Sequence, residues 1–259
     1  MDAKAVADHI AQWLLSYNTE AKTNGFVVGV SGGIDSALTS TLGAMTGLPM
    51  ICVEMPIHQN STQVNRASDH IAWLKQKYPN VSLEHVELTN IFDSLVSALP
   101  STYEKTREMS LVNTRARLRM TTLYYFAALK GMLVLGTGNK VEDFGIGFFT
   151  KYGDGGVDLS PIADLTKSEV YKVARELGVI DSILNAPPTD GLWGDDRTDE
   201  DQIGASYPEL EWAMQFVGSE DSLSTRQKEV LVIYRRLHKA NRHKMIPIPV
   251  CEIPAYLKA

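Results

Sequence analysis

Four short apolar runs alternate with longer helical stretches in this 259-residue chain, and that alternation constrains the fold most tightly. Phe26–Val30, Met50–Val53, Val81–Val86 and Met132–Leu135 have the length and apolarity of buried strands. Between them, Ala37–Met45, Thr62–Lys77, Ile91–Leu99 and Asn113–Lys130 read as helices. Strands that alternate with helices predict a doubly wound α/β fold, a mainly parallel sheet with helices on both faces. No linker or repeat divides the chain, so a single domain over residues 1–259 is expected. Ligands in such sheets bind at the carboxyl ends of the strands. The segments Ser31–Ser36, Glu54-Met55-Pro56 and Gly136–Glu142 all fall there.

The sequence Phe26–Ser36, FVVGVSGGIDS, is a strand, a glycine loop and a helix start in one piece. Such a junction makes an anion site, because unpaired N–H groups at the helix start face the loop. It lacks the Lys-Ser/Thr ending of a Walker A loop and the G-x-G-x-x-G of dinucleotide folds. It carries instead the hydroxyls of Ser31 and Ser36 and one acid, Asp35, of the kind that holds Mg²⁺ against a polyphosphate. The loop resembles that of the PP-loop ATP pyrophosphatases. The resemblance implies a Rossmann-like adenine nucleotide α hydrolase fold, ATP cleaved between its α- and β-phosphates, and a substrate activated as its adenylate.

Composition narrows the partners. With 31 acids against 25 Lys plus Arg, the net charge is −6, which disfavours general nucleic-acid binding. The N-terminal stretch reads as an amphipathic helix with Val6, Ile10, Trp13, Leu14 and Tyr17 on one face; Asp2 and the polar breaks argue against a signal peptide. No apolar run is long enough to span a bilayer, and a cytoplasmic protein is expected. Of the two cysteines, Cys52 lies in an apolar run and reads as buried and inert; no C-x-x-C supports zinc or a disulfide framework.

The second half carries a more specific pattern. Leu135-Gly136-Thr137-Gly138-Asn139-Lys140-Val141-Glu142 is followed by Phe148-Phe149-Thr150-Lys151-Tyr152-Gly153-Asp154-Gly155-Gly156, by Asp164-Leu165-Thr166-Lys167, and by Pro187-Pro188-Thr189. Upstream stands Asn113-Thr114-Arg115-Ala116-Arg117-Leu118-Arg119. With SGGIDS, this set resembles the ammonia-dependent NAD synthetases from about Ala3 to Lys244. The resemblance implies that ATP adenylates the nicotinate carboxylate of deamido-NAD, and that ammonia then displaces AMP to give NAD⁺. It places Gly29, Ser31, Gly32, Gly33, Asp35, Ser36, Thr137, Lys167 and Thr189 on ATP. It places Arg117, Lys151, Asp154, His243 and Lys244 on deamido-NAD, with Arg119 a further phosphate candidate. Asp35 and Glu142 would carry Mg²⁺, and Asp35, Asp154 and Lys167 would be catalytic, Asp154 by deprotonating ammonium. Between Glu142 and Lys151 the chain runs one residue longer than the common pattern, so Asp143 rivals Glu142 as metal ligand. Glu54 stands where some relatives have a basic residue, and no nucleotide contact is transferred to it. The resemblance also implies a homodimer. The chain has no room for a glutaminase domain, so free ammonia is the expected donor.

Other segments have plainer readings. Arg115 reads as a solvated helix face, and Lys151 with Asp154 as a possible loop ion pair. The run from Arg235 to Lys244 suggests a solvated helix face or a nucleic-acid footprint. His58, His70 and His85 lack metal-ligand spacing, and Trp73 and Trp212 read as packing residues. Residues 186–204, rich in Pro, Gly and Asp, read as a mobile lid or a partly disordered stretch, with solvated acids at Asp195, Asp196, Asp199, Glu200 and Asp201. Helices are expected at Tyr207–Phe216 and about Ser224–His238, and no helix over Ile246–Pro254. Competing functions are a PP-loop tRNA-modifying or sulfur-inserting enzyme and a non-catalytic adenine-nucleotide-binding module. The first leaves FFTKYGDGG unexplained; the second has no need of Asp35, Glu142 and Lys167 together.

Overall fold

A computed structural model of the chain describes residues 1–59, 61–102, 104–187 and 198–258. In chain order the elements are α1 Ala3–Ala21, β1 Phe26–Gly29, α2 Ile34–Met45, β2 Met50–Glu54, α3 Ser61–Lys77, β3 Val81–His85, α4 Thr89–Ala98, α5 Glu104–Lys130 and β4 Leu133–Val134. A π-helical segment, Val141–Ile146, follows. Then come α6 Lys167–Glu176, α7 Asp181–Leu184, α8 Asp199–Ile203, α9 Tyr207–Gln215 and α10 Thr225–Met245. All four predicted strands form, and they pair in parallel in the order β3-β2-β1-β4. That order puts the reversal of winding between β1 and β4. A crevice opens at such a switch point, because the connections leave the two neighbouring strands in opposite directions.

The two-residue period of the strands divides the core. Phe26, Val28, Met50 and Cys52 face a layer containing Leu14 of α1, Leu38 and Leu42 of α2, Ile71 and Leu74 of α3, Val170 and Val173 of α6 and Ile183 of α7. Val27, Ile51 and Val53 face the other way, onto Phe92 of α4 and Ala127 of α5. Each fully buried Leu, Ile or Phe contributes about 1.5–3 kcal/mol, so both faces of the sheet are strongly driven to be covered. A third cluster joins the π-helical segment to α8, α9 and α10 through Val141, Ile146, Tyr207, Leu210, Val230 and Leu231. This helical layer sits beyond the carboxyl end of β4.

Several local expectations are corrected. In α1 the buried stripe is Ala7, Ile10, Ala11, Leu14 and Asn18, whereas Trp13 and Tyr17 are 40% and 42% exposed. Asn18 turns the helix: its carbonyl accepts from Gly25 N–H and Thr23 Oγ1, and its amide donates to the Thr23 carbonyl, which builds the entry into β1. Arg115 is half-buried rather than solvated, its guanidinium 4.5 Å from the Phe92 ring centre. Asp199 is buried in α8 rather than solvated on a lid, and Asp201 accepts from the Thr198 N–H and hydroxyl at the start of that helix. Asp195, Asp196 and the rest of the expected lid between 188 and 197 lie outside the described residues. Helix α10 runs seven residues past His238; Arg235, Arg236, Lys239, Arg242 and His243 are exposed as a solvated face, while on its inner side His238 bonds the Gly145 carbonyl and Asn241 donates to that of Ile146. Cys52 is buried as expected, its thiol pushed up to about 12 by desolvation. No helix among the described residues is long and apolar enough to cross a membrane.

Candidate active site between the first and fourth strands

The chain leaves β1 through Ser31-Gly32-Gly33 and enters α2 at Ile34. Gly32 has φ +82°, and a Cβ there would lie 2.6 Å from the Gln63 carbonyl oxygen and 3.0 Å from the Ala67 nitrogen, both backbone atoms of α3. Only glycine fits, for conformation and for space. The serine hydroxyls turn into the loop. Ser36 Oγ donates to the Gly33 carbonyl at 3.0 Å, accepts from the Ser31 N–H at 3.2 Å and lies 3.1 Å from Ser31 Oγ. Gly33 N–H reaches Ser31 Oγ at 3.3 Å. The serines therefore brace the loop, and Gly33 opens α2 with no side-chain cap. At Gly29, the end of β1, an added Cβ would lie 3.1 Å from Met55 Cε.

Beside this loop four distant segments meet at one ammonium. Lys167 Nζ lies 2.6 Å from Asp35 Oδ2 and 3.0 Å from Glu142 Oε1, and its side chain is 5% exposed. Burial would lower the lysine pKa, but the two carboxylates outweigh it and raise the net value, so the side chain stays charged. Asp35 is raised by burial and by Glu142, with Lys167 pulling it back down. Asn139, fully buried, donates to Asp35 Oδ1 at 3.1 Å and accepts the N–H groups of Val141 and Glu142. It thus fixes the start of the π-helical segment and Asp35 together. Tyr207 donates its hydroxyl to Glu142 Oε1, and Lys167 Nζ lies 4.6 Å from its ring centre. Burial, then Glu142, Asp199 and Asp35, raise the phenol pKa, so Tyr207 is a neutral donor.

Glu142 and Asp143 have different surroundings. Asp143 packs against Gly138, where an added Cβ would fall 2.1 Å from its carboxylate oxygens. Burial, reinforced by Glu142, Asp154 and Asp35, pushes Asp143 up to about 8. Glu142, not Asp143, shares the lysine with Asp35. Among the described residues no three His, Cys, Asp or Glu side chains form a metal-binding group. The Asp35–Glu142 pair already receives one cation, the Lys167 ammonium, and two hard carboxylates suit a Mg²⁺ that takes its other ligands from phosphate and water.

A second group of residues gathers around 147–156. Arg117 donates to the Lys151 carbonyl at 3.3 Å, Lys151 to the His243 carbonyl at 2.7 Å, and Lys244 to the carbonyls of Gly147 and Phe149, both at 2.8 Å. These bonds join α5, the loop and the end of α10 into one basic wall. Lys151 pairs with that carbonyl and not with Asp154. Asp154 stands exposed on one side and accepts the Thr150 N–H at 2.9 Å. Desolvation by the surrounding chain is the largest cause that pushes it up to about 6, against the Thr150 bond. Arg119 is directed elsewhere, to the Met55 carbonyl at 3.0 Å and Gln59 Oε1 at 3.2 Å. Glu54 accepts from Ser68 and faces His85. Thr137 is half-buried just after β4, and Thr189 lies outside the described residues.

Sequence reading missed Asn139, Tyr207 and Glu211, which accepts the Ser168 N–H at 2.8 Å. It also missed α6, although Thr166-Lys167-Ser168-Glu169 is a capping-box pattern and Glu169 does accept the Thr166 N–H at 2.9 Å. Asn139 lay inside a recognised motif. Nothing local marked Tyr207 as more than a core aromatic.

Comparison with known proteins gives the family. The NAD synthase family model matches residues 6–246. The NH(3)-dependent NAD(+) synthetase of Carboxydothermus hydrogenoformans is 36% identical over 245 residues, covering 92% of this chain and 93% of its own. The structure of NMN synthetase from Francisella tularensis superposes with a TM-score of 0.84 at 29% identity, covering 98% of this chain and 99% of that one. The NH3-dependent NAD synthetase from Campylobacter jejuni gives 0.76 at 27% identity, with 97% and 100% covered. With a parallel sheet whose switch point carries SGGIDS and the Glu142–Lys167 pair, and with a family match over nearly its whole length, the chain belongs to the NAD synthase family, the ligases of NAD biosynthesis.

Proposed function

We propose that the chain amidates deamido-NAD with ammonia at the expense of ATP, giving NAD⁺, AMP and pyrophosphate through an acyl adenylate. The observation that carries this reading is the convergence of Asp35, Glu142 and Lys167 beside the loop of Ser31 to Ser36. The first turn of α2, with Ser31, Gly32, Gly33 and Ser36 shaping the approach, receives the polyphosphate, together with Thr137 and Thr189. Asp35 and Glu142 would hold Mg²⁺, which when bound offsets charge on the departing pyrophosphate. Lys167 is the buried positive charge of the site, a compact ammonium suited to phosphate oxygens. Arg117, Lys151, His243 and Lys244 hold the acceptor, and Arg119 braces the end of β2 beside it. The nicotinate carboxylate attacks the α-phosphorus, and the α–β bond breaks. Ammonia then attacks the acyl carbon, the bond to AMP breaks with its electron pair leaving on the AMP oxygen, and the nitrogen loses one proton to give the amide. Asp154, with its pKa near 6, is the base suited to take a proton from ammonium. Positioning and fixed charge supply the rate, without a covalent nucleophile. The family resemblance favours a homodimer acting in the cytoplasm.

A second reading changes the acceptor. The likeness to an NMN synthetase, with its TM-score of 0.84, favours nicotinate mononucleotide as an alternative substrate for the same chemistry. The decisive assay incubates the protein with Mg-ATP, ammonium and either acceptor, then measures pyrophosphate, AMP and the amide. NAD⁺ formation from deamido-NAD supports the first reading. A kcat/KM higher for the mononucleotide supports the second, and ATP cleavage with neither acceptor overturns both.

A further inference from the structure

We propose that Tyr207 is a positioning residue for the Asp35–Glu142–Lys167 centre; the inference rests on the function proposed above. Tyr207 is 3% exposed and begins α9, far in sequence from the other members of the centre. Its hydroxyl donates to Glu142 Oε1, with Asp199 Oδ2 also within 3.3 Å. Glu142 Oε1 therefore has two protein donors, Tyr207 and Lys167 at 3.0 Å, which occupy that oxygen. Oε2 is the oxygen left for a divalent cation. The Tyr207 ring carries Lys167 Nζ at 4.6 Å, a buried cation–π contact that holds the ammonium beside the carboxylates without a competing anion.

Helix α9 grips the same place a second time. Glu211, one turn after Tyr207, accepts the N–H of Ser168, the neighbour of Lys167 at the start of α6. Helix α9 is itself braced. Glu209 accepts the Ser206 N–H at 2.8 Å and the Arg226 guanidinium of α10 at 2.7 and 2.8 Å. Lys167 and Glu142 are thus set by the helical layer of α9 and α10 as well as by the sheet. Packing alone does not account for the phenol. Phenylalanine would fill the volume, whereas a buried hydroxyl is tolerated when its hydrogen bond is made.

The test is a cycle of Tyr207→Phe in the wild-type and Glu142→Gln backgrounds. Two quantities are read: single-turnover pyrophosphate release, and Mn²⁺ binding by electron paramagnetic resonance with a non-hydrolysable ATP analogue present. Losing a hydrogen bond to a charged group should slow release about tenfold and weaken Mn²⁺ binding by a similar factor. The KM for deamido-NAD should hold, and the melting temperature should fall by only several degrees, as for the loss of one buried hydrogen bond. In the Glu142→Gln background the same change should cost less than about twofold, because its effect runs through Glu142. Wild-type release and Mn²⁺ affinity in Tyr207→Phe overturn the proposal, as do equal losses in both backgrounds. If the Glu142→Gln protein is too slow to follow, the Mn²⁺ affinity of Tyr207→Phe decides. A wild-type protein inactive with every nicotinate acceptor defeats the functional reading instead, and Mn²⁺ binding still reports on Tyr207.

Discussion

Replacing Gly32 by alanine tests how the loop between β1 and α2 is held. The left-handed backbone at φ +82° costs an L-residue about 1–2 kcal/mol by itself. The new methyl would also sit 2.6 Å from the Gln63 carbonyl oxygen. That atom belongs to the backbone of α3, so relief requires the loop or the helix to move, and no side chain can swing aside. Together these give a loss of about 2–4 kcal/mol, or a melting temperature lower by about 5–10 °C for a chain of this size. Gly33 is the internal control. A Cβ there meets only Ser31 Oγ, at 3.4 Å, and the backbone is extended, so Gly33→Ala should melt within about 1 kcal/mol of the parent. Its methyl would stand at the helix start proposed to receive phosphate, so pyrophosphate release should fall while stability holds. Thermal denaturation followed by circular dichroism, beside a pyrophosphate assay, separates the two. Gly32→Ala melting with the parent, or Gly33→Ala melting below it, would refute the reasoning.

Glu142→Gln should reduce pyrophosphate release by orders of magnitude and Asp143→Asn by far less, because only Glu142 shares Lys167 with Asp35; the reverse order would reassign the metal ligand. At constant free ammonia, turnover should rise with pH through an inflection near 6 set by Asp154, and Asp154→Asn should slow turnover and remove that inflection. Full turnover of Asp154→Asn at saturating ammonia would exclude it as the base. His70 is fully buried, bonds Ser40 at 2.9 Å and is held down at about 4 by desolvation. Its folded pKa lies below the unfolded value, so the unfolded chain binds the proton more tightly. Stability should therefore fall by about 3 kcal/mol as pH drops from 6.5 through 4, and His70→Gln should flatten that slope in urea titrations.

The sequence by itself determined the layer architecture, the parallel sheet and the glycine loop that joins β1 to α2. Each depends on local order: a period of two or 3.6, a glycine needing positive φ, an acid in a helix's first turn. Every predicted strand formed, and the segments expected at the carboxyl ends of the strands lie there. The helix ends and the buried face of α1 were less legible, because Asn18 enters the interior to build a turn rather than for its polarity. Only the tertiary structure decided which strands neighbour which, and through that which charges meet. Asp35 and Lys167 stand 132 residues apart, and Asp35 and Asn139 104 apart. Their contact follows from β1 and β4 being neighbours and from α6 starting at the crevice between them. Tyr207 reaches Glu142 because α9 packs on the π-helical segment and on α6, and hydrophobic periodicity does not specify that arrangement. A pattern encodes which side of an element is buried. What that side is buried against is settled when the layers close, and it is there that Glu142, and not Asp143, comes to share Lys167 with Asp35.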